Sequence, residues 1–211
     1  YEIMPSLVGS EMCIRDSLTI VSSLTFASNN LNFSQEELGE LGKSCKNANT
    51  TFLTGYGTMY HYGLGQEKNI IKAIRLYQKS CDCNEYEACN NLGTIYEGED
   101  GIKKDYKKAR ELYKKACDGD YTLGCYNLGN IYYDGKGVKQ DIEKGAMYFK
   151  NSCDTGNNWP GCYNFAVFAG KNGDHYKAKE YFAKACSLGK NDLSAQITPE
   201  RKEALRKACN Y

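Results

Sequence analysis

The sequence contains no Cys-x-x-Cys pair, and its 211 residues include only two histidines and one tryptophan. Without Cys-x-x-Cys there is no thioredoxin-type redox motif, and the usual zinc-ribbon spacing is missing as well. Two histidines, His61 and His175, are too few for a metallo-enzyme, so no metal or cofactor is expected. No run of 18 or more apolar residues occurs, which excludes a membrane-spanning helix. An excess of charge of one sign is also missing. A formal charge of +1 gives no electrostatic footprint for nucleic acid, and no polybasic segment points to anionic lipid.

Cysteine and tyrosine are plentiful. There are 18 Tyr against 7 Phe, which suggests thin packed layers where a ring is inside and its hydroxyl lies near water. The eleven cysteines are an odd count. One of them, Cys13, falls in residues 1–17, "YEIMPSLVGSEMCIRDS", which share no pattern with the rest and resemble translated adapter sequence. That segment is expected to be foreign to the native chain. Residues 18–27 then form a short apolar run with small Ala27 at its end, the pattern of a signal-peptide core and cleavage site. The ten cysteines that remain make an even set, as an oxidising compartment predicts.

Those cysteines are periodic. Cys45, Cys81, Cys117 and Cys153 follow one another at 36 residues, and a second series runs Cys89, Cys125, Cys162. "NNLGTIYEGEDGIKKDYKKARELYKKAC" (90–117) aligns with "YNLGNIYYDGKGVKQDIEKGAMYFKNSC" (126–153), with an earlier copy at 54–81 and a shorter one at 163–186. Each copy reads as two helices. Ala88, Leu92, Ile95 and Tyr96 share one helical face, and Ala109, Leu112, Tyr113 and Ala116 share another. Gly63/Gly65, Gly98/Gly101 and Gly135/Gly137 break between them, and Asp105 and Asp141 stand at cap positions. Gly119, Gly156 and Gly189 are placed to end the second helices in a left-handed conformation. One hairpin alone cannot bury such faces, whereas stacked hairpins can. The fold class is therefore all-α, an α-solenoid of helix-turn-helix repeats stapled by disulfides.

"LGTIY" and "LGNIY", followed by Ala109 and Tyr113, resemble the core of tetratricopeptide-type hairpins. The 36-residue period, the "GKGVKQD" loop and the "KKAC" ending look like the Sel-one-like variant. With the cysteine spacing, the resemblance extends to the Helicobacter cysteine-rich protein family of secreted repeat proteins, over roughly residues 30–187. On this basis the array is expected at 28–198, a half-repeat and four repeats, with a capping helix at 199–211. A secreted or periplasmic monomer is expected.

If a helix ends at Cys117, turns at Gly119 and restarts near Tyr121, Cys125 falls within disulfide reach of Cys117. The same geometry predicts Cys81–Cys89 and Cys153–Cys162. Cys186 is then assigned to Cys209 across a loose linker at 187–198, and Cys45 to Cys83, although Cys81 and Cys83 can exchange roles. Tetrahedral zinc competes less well, because the pairs are whole repeats apart.

Two functions remain open. In stacked hairpins the first helices line a concave side, and Asn91, Asn127 and Asn164 recur there just before a Leu or Phe. A row of carboxamides can bond the backbone of an extended peptide, with Tyr126, Tyr163, Tyr133 and Tyr62 as aromatic contacts beside it. The competing role is to tie each helix to its neighbour. The expected partner is a protein or peptide, such as a host or cell-envelope component. The resemblance also implies an alternative, weak penicillin binding or β-lactamase activity. Against it, "SLGK" at 187–190 is a lone Ser-x-x-Lys without the Ser-Asp-Asn and Lys-Thr-Gly that a serine β-lactamase needs. Both histidines are expected at the surface.

Overall fold

The computed structural model describes residues 50–98, 101–190 and 199–210. The foreign-looking segment 1–17, the signal-like segment 18–27 and Cys45 all lie outside the described residues. The described residues form nine helices: α1 (Thr50–Tyr62), α2 (Ile70–Asp82), α3 (Tyr86–Gly98), α4 (Tyr106–Asp118), α5 (Thr122–Asp134), α6 (Ile142–Gly156), α7 (Trp159–Lys171), α8 (His175–Lys190) and α9 (Pro199–Cys209). The chain divides into two compact units whose boundary falls within α4, after Leu112.

In the first unit α1 and α2 form an antiparallel hairpin. Thr54 meets Ser80 at 2.9 Å, and Thr58 meets the Tyr77 hydroxyl at 3.0 Å. The helices approach this closely because Gly57 has no side chain. A Cβ there would stand 2.8 Å from the Tyr77 ring. The second unit repeats the device at Gly129, where a Cβ would come 2.7 Å from the Phe149 ring of α6. The glycine at this repeat position, Gly57 or Gly129, is thus a seat for the aromatic ring of the following helix.

The second helix of each hairpin starts on a side-chain cap. Asn69, Asp105, Asp141 and Asp174 accept from the backbone N–H of Lys72, Lys108, Lys144 and Lys177 at 2.9–3.0 Å. Asp105 and Asp141 are where the sequence places them. In the loops before these caps, Gly63, Gly65, Gly135 and Gly137 all have φ near +70°, a conformation that side chains disfavour.

The helix ends correct the sequence reading. The left-handed residue after α2, α4 and α6 is not glycine but Asn84 (φ 64°), Asp120 (φ 62°) and Asn157 (φ 53°). Asn and Asp tolerate this region because their short side chains bond locally. Gly156 and Gly189 lie inside α6 and α8 and serve close packing instead. A Cβ on Gly156 would meet the Thr122 hydroxyl at 1.7 Å, and one on Gly189 would meet Leu205 at 2.3 Å. Residues 187–190, expected in a loose linker, are instead the last turn of α8, and residues 191–198 lie outside the described residues.

Candidate functional site

Every described junction between hairpins is built the same way. The last turn of α2 carries Cys81, the chain turns through Asn84, and α3 brings Cys89 back onto Cys81. Glu85 N–H bonds Ser80 C=O at 3.0 Å; its counterpart, Tyr121 N–H, bonds Ala116 C=O at 2.9 Å. The disulfides are Cys81–Cys89, Cys117–Cys125 and Cys153–Cys162, with Cα–Cα distances of 4.7, 4.5 and 4.8 Å. A fourth, Cys186–Cys209, joins α8 to α9 across 23 positions. Closing each junction loop removes unfolded-state freedom corresponding to about 2.5 kcal/mol, and the longer loop about 3.5 kcal/mol. The Asn151 amide sits 3.9 and 3.8 Å from the sulfurs of Cys117 and Cys125, so α6 packs against the preceding junction. The expected Cys45–Cys83 pairing falls outside the described residues with Cys45; Cys83 is itself disulfide-bonded.

The asparagine row lies on α3, α5 and α7. Asn91 and Asn127 are 4% exposed, and Asn164 is fully enclosed. Asn90 beside it and Asn130 one turn along are buried too. The tyrosines proposed beside the row take part in ring packing within their own hairpins. The Tyr126 and Tyr133 rings lie 5.7 and 5.8 Å from the Phe149 ring, and the Tyr163 ring meets Phe182 edge-on at 5.4 Å. Tyr62 stacks on His61 at 4.3 Å. Burial raises the Tyr133 hydroxyl above its ordinary pKa, with Asp134 adding to the shift, so it stays neutral.

The sequence reading missed two columns. Tyr60, Tyr96 and Tyr132 stand 36 residues apart, as do Lys72, Lys108 and Lys144. Each lysine lies over its tyrosine ring, at 4.8, 4.1 and 4.0 Å, and so clips the second helix to the first. The equal spacing of the two columns was the signal in the sequence. A separate contact joins neighbouring second helices. Asp154 on α6 accepts from the Tyr181 hydroxyl at 3.0 Å and from Lys184 at 2.9 Å, both on α8, and also pairs with Lys150.

The electrostatics do not resemble those of acid–base catalysis. Burial pushes Tyr56 up to about 12, with Tyr60 adding to the shift. Burial also raises Tyr181. Hydrogen bonds to carboxylates raise Lys150 and Lys177. At Asp154 burial works upward, but bonds from Lys150, Lys184 and Tyr181 outweigh it and hold the carboxyl low. These groups move away from neutrality, whereas a catalytic acid or base is tuned toward it. Ser187 and Lys190 are both exposed in the last turn of α8. Of the histidines, His175 is exposed as expected, but His61 is buried, its Nδ1 3.5 Å from the Tyr77 hydroxyl. Among the described residues no group of three or more His, Cys, Asp or Glu could hold a metal, and no helix is long and apolar enough to cross a membrane.

The Sel1 repeat pattern matches residues 52–85, 87–121, 122–157 and 160–190, one match per hairpin. The chain belongs to the Sel1 repeat family. A Sel1 repeat protein from Oxalobacter formigenes superposes with a TM-score of 0.64, at 22% identity over 82% of this chain and 68% of its own. A protective antigen of uropathogenic Escherichia coli with an SLR fold gives 0.62, at 22% identity over 82% of this chain. The chain spans 41% of that antigen's length. Cysteine-rich protein B of Helicobacter pylori is 26% identical over 61% of this chain and 96% of its own, with a TM-score of 0.46. No curated protein matches the sequence. The boundaries between successive Sel1 matches fall within the disulfide junctions, so the sequence repeat and the hairpin coincide. Sel1 repeats are scaffolds associated with protein–protein interaction.

Proposed function

We propose that this Sel1 protein is a rigid scaffold for protein or peptide recognition that works in an oxidising, extracytoplasmic compartment, secreted or periplasmic, as a monomer. The observation that carries the reading is the disulfide at each described hairpin junction. A staple at every turn holds a surface in one shape before a partner arrives, and preorganisation of this kind reduces the ordering cost of association. Disulfides at buried, regular positions are also what an exported protein retains and a cytosolic one lacks.

The asparagine row enters this proposal with two roles to separate. A carboxamide enclosed by the fold favours helix packing over an open docking surface, and the tyrosines beside it pack in the same way. Recognition then rests with side chains that the array presents, and the row fixes the register in which they are presented.

The deciding experiment compares the oxidised array with a fully reduced and alkylated one against envelope and host-surface extracts, with chromogenic cephalosporin turnover measured on the same preparations. A partner retained only by the oxidised form supports the proposal. Equal retention by both forms, or catalytic turnover lost in Ser187→Ala, would overturn it.

A further inference from the structure

The three junction disulfides are alike in burial, and the fourth is not. Cys81, Cys89, Cys117, Cys125, Cys153 and Cys162 are all buried, whereas Cys209 is exposed on α9. The helix that Cys209 holds is short, 11 residues from Pro199 to Cys209, below the length at which an isolated helix persists in water. It stays in place through Ala204, Leu205 and Ala208, which join the core cluster of the second unit, and through the link to Cys186. Leu205 sits in a notch that α8 leaves open at Gly189. We propose that Cys186–Cys209 is a redox-sensitive latch. Reducing it frees α9 from α8 and uncovers the Gly189 notch, while the repeats keep their junction disulfides.

The chemistry is thiol–disulfide exchange with a dithiol reductant. The reductant's thiolate attacks the Cys209 sulfur, the Cys186–Cys209 bond breaks, and Cys186 leaves as a thiolate and takes a proton. The reductant's second thiol then displaces Cys209 from the mixed disulfide. Two electrons and two protons pass to the protein, and the dithiol closes to its own disulfide. The junction pairs resist the same attack because their sulfurs are enclosed, and an in-line approach requires the turn to open first.

The test titrates the full oxidised chain with dithiothreitol, traps thiols with N-ethylmaleimide and maps the labelled peptides. Hydrogen exchange across 199–209 is followed at each point. Cys186 and Cys209 should be labelled at a dithiothreitol concentration at least tenfold below that which labels the six junction cysteines. The amides of α9 should lose protection at that point while those of α5, α6 and α7 keep theirs. Cys209→Ser, which leaves the junction pairs intact, should show the same loss in α9 without reductant. Simultaneous reduction of Cys186–Cys209 and the three junction bridges, or earlier reduction of a junction pair, would overturn the latch. Continued protection of α9 in Cys209→Ser would overturn it too.

Discussion

In α5 every residue from Gly124 to Ile131 is buried, whereas in α6 the buried residues are Gly145, Ala146, Phe149, Ser152 and Cys153. Met147 stands between them at 71% exposure. Both are helices of one hairpin, yet α5 is covered on all sides and α6 on one stripe. The same contrast separates α1 from α2, where Leu53–His61 form one buried run and Ala73, Leu76, Tyr77, Ser80 and Cys81 form a stripe. A helix enclosed all round needs small residues where neighbours touch its backbone, and Gly57 and Gly129 supply them. A helix covered on one side can instead offer large rings, and Tyr77 and Phe149 lie across those glycines.

The sharpest way to break this complementarity is to remove the ring. Phe149→Ala should destabilise the oxidised protein by about 3–5 kcal/mol in urea unfolding, the cost of a large cavity in a packed core. Met147→Ala, two positions away but exposed, should stay within about 0.5 kcal/mol. Equal effects of the two substitutions would mean that α6 has no inward stripe.

The next effect comes from the staple between hairpins. Replacing both Cys117 and Cys125 by Ser should lower stability by about 2.5 kcal/mol, the loop-closure value, with the other bridges intact by peptide mapping. A change under about 0.5 kcal/mol would show that helix packing alone sets the junction.

The stripe of the second helix is what a 3.6-residue period detects. Ala109, Leu112, Tyr113 and Ala116 were therefore legible from spacing, and all four are buried. In the first helix the spacing showed one face, Ala88, Leu92, Ile95 and Tyr96, but not that Asn90, Asn91 and Thr94 between them are buried as well. The cysteine pairs could be read because a disulfide limits Cα separation, and a fixed spacing around a turn meets that limit. The left-handed residues were misassigned to glycine because Asn84, Asp120 and Asn157 carry side chains that tolerate the same backbone. The sequence left the asparagine row between recognition and helix packing, since a polar residue reads as surface until its neighbours are known. His61 failed for the same reason.

A smaller effect sharpens the row's role. Asn127→Ala removes a carboxamide enclosed in α5 and should cost about 1–2 kcal/mol, the range for losing a buried hydrogen-bonding group. Calorimetric melting checks the cost, and affinity of the folded fraction for any partner retained by the oxidised array should not change. A normal melting temperature with tenfold weaker binding would return Asn91, Asn127 and Asn164 to a recognition surface.

The smallest effect belongs to Asp154, which ties the exposed edges of two second helices together through Lys184 and Tyr181. Its side chain is 34% exposed, so solvent screens the pair and the contribution should stay below about 1 kcal/mol. The sign follows from the direction of the shift. The carboxyl is held below its ordinary value, so the folded state binds its proton less readily than the unfolded chain does. The stabilisation is therefore complete above the unfolded carboxylate range of about 3.9 and is lost as pH falls through the lower folded value. Melting temperatures of the wild type and Asp154→Asn should differ by a constant amount from about pH 5 to 7 and converge below about pH 4. Raising the salt concentration should narrow the gap at neutral pH, since the groups are partly exposed. A gap that persists unchanged to pH 2 would show that the two side chains differ in packing and not in charge.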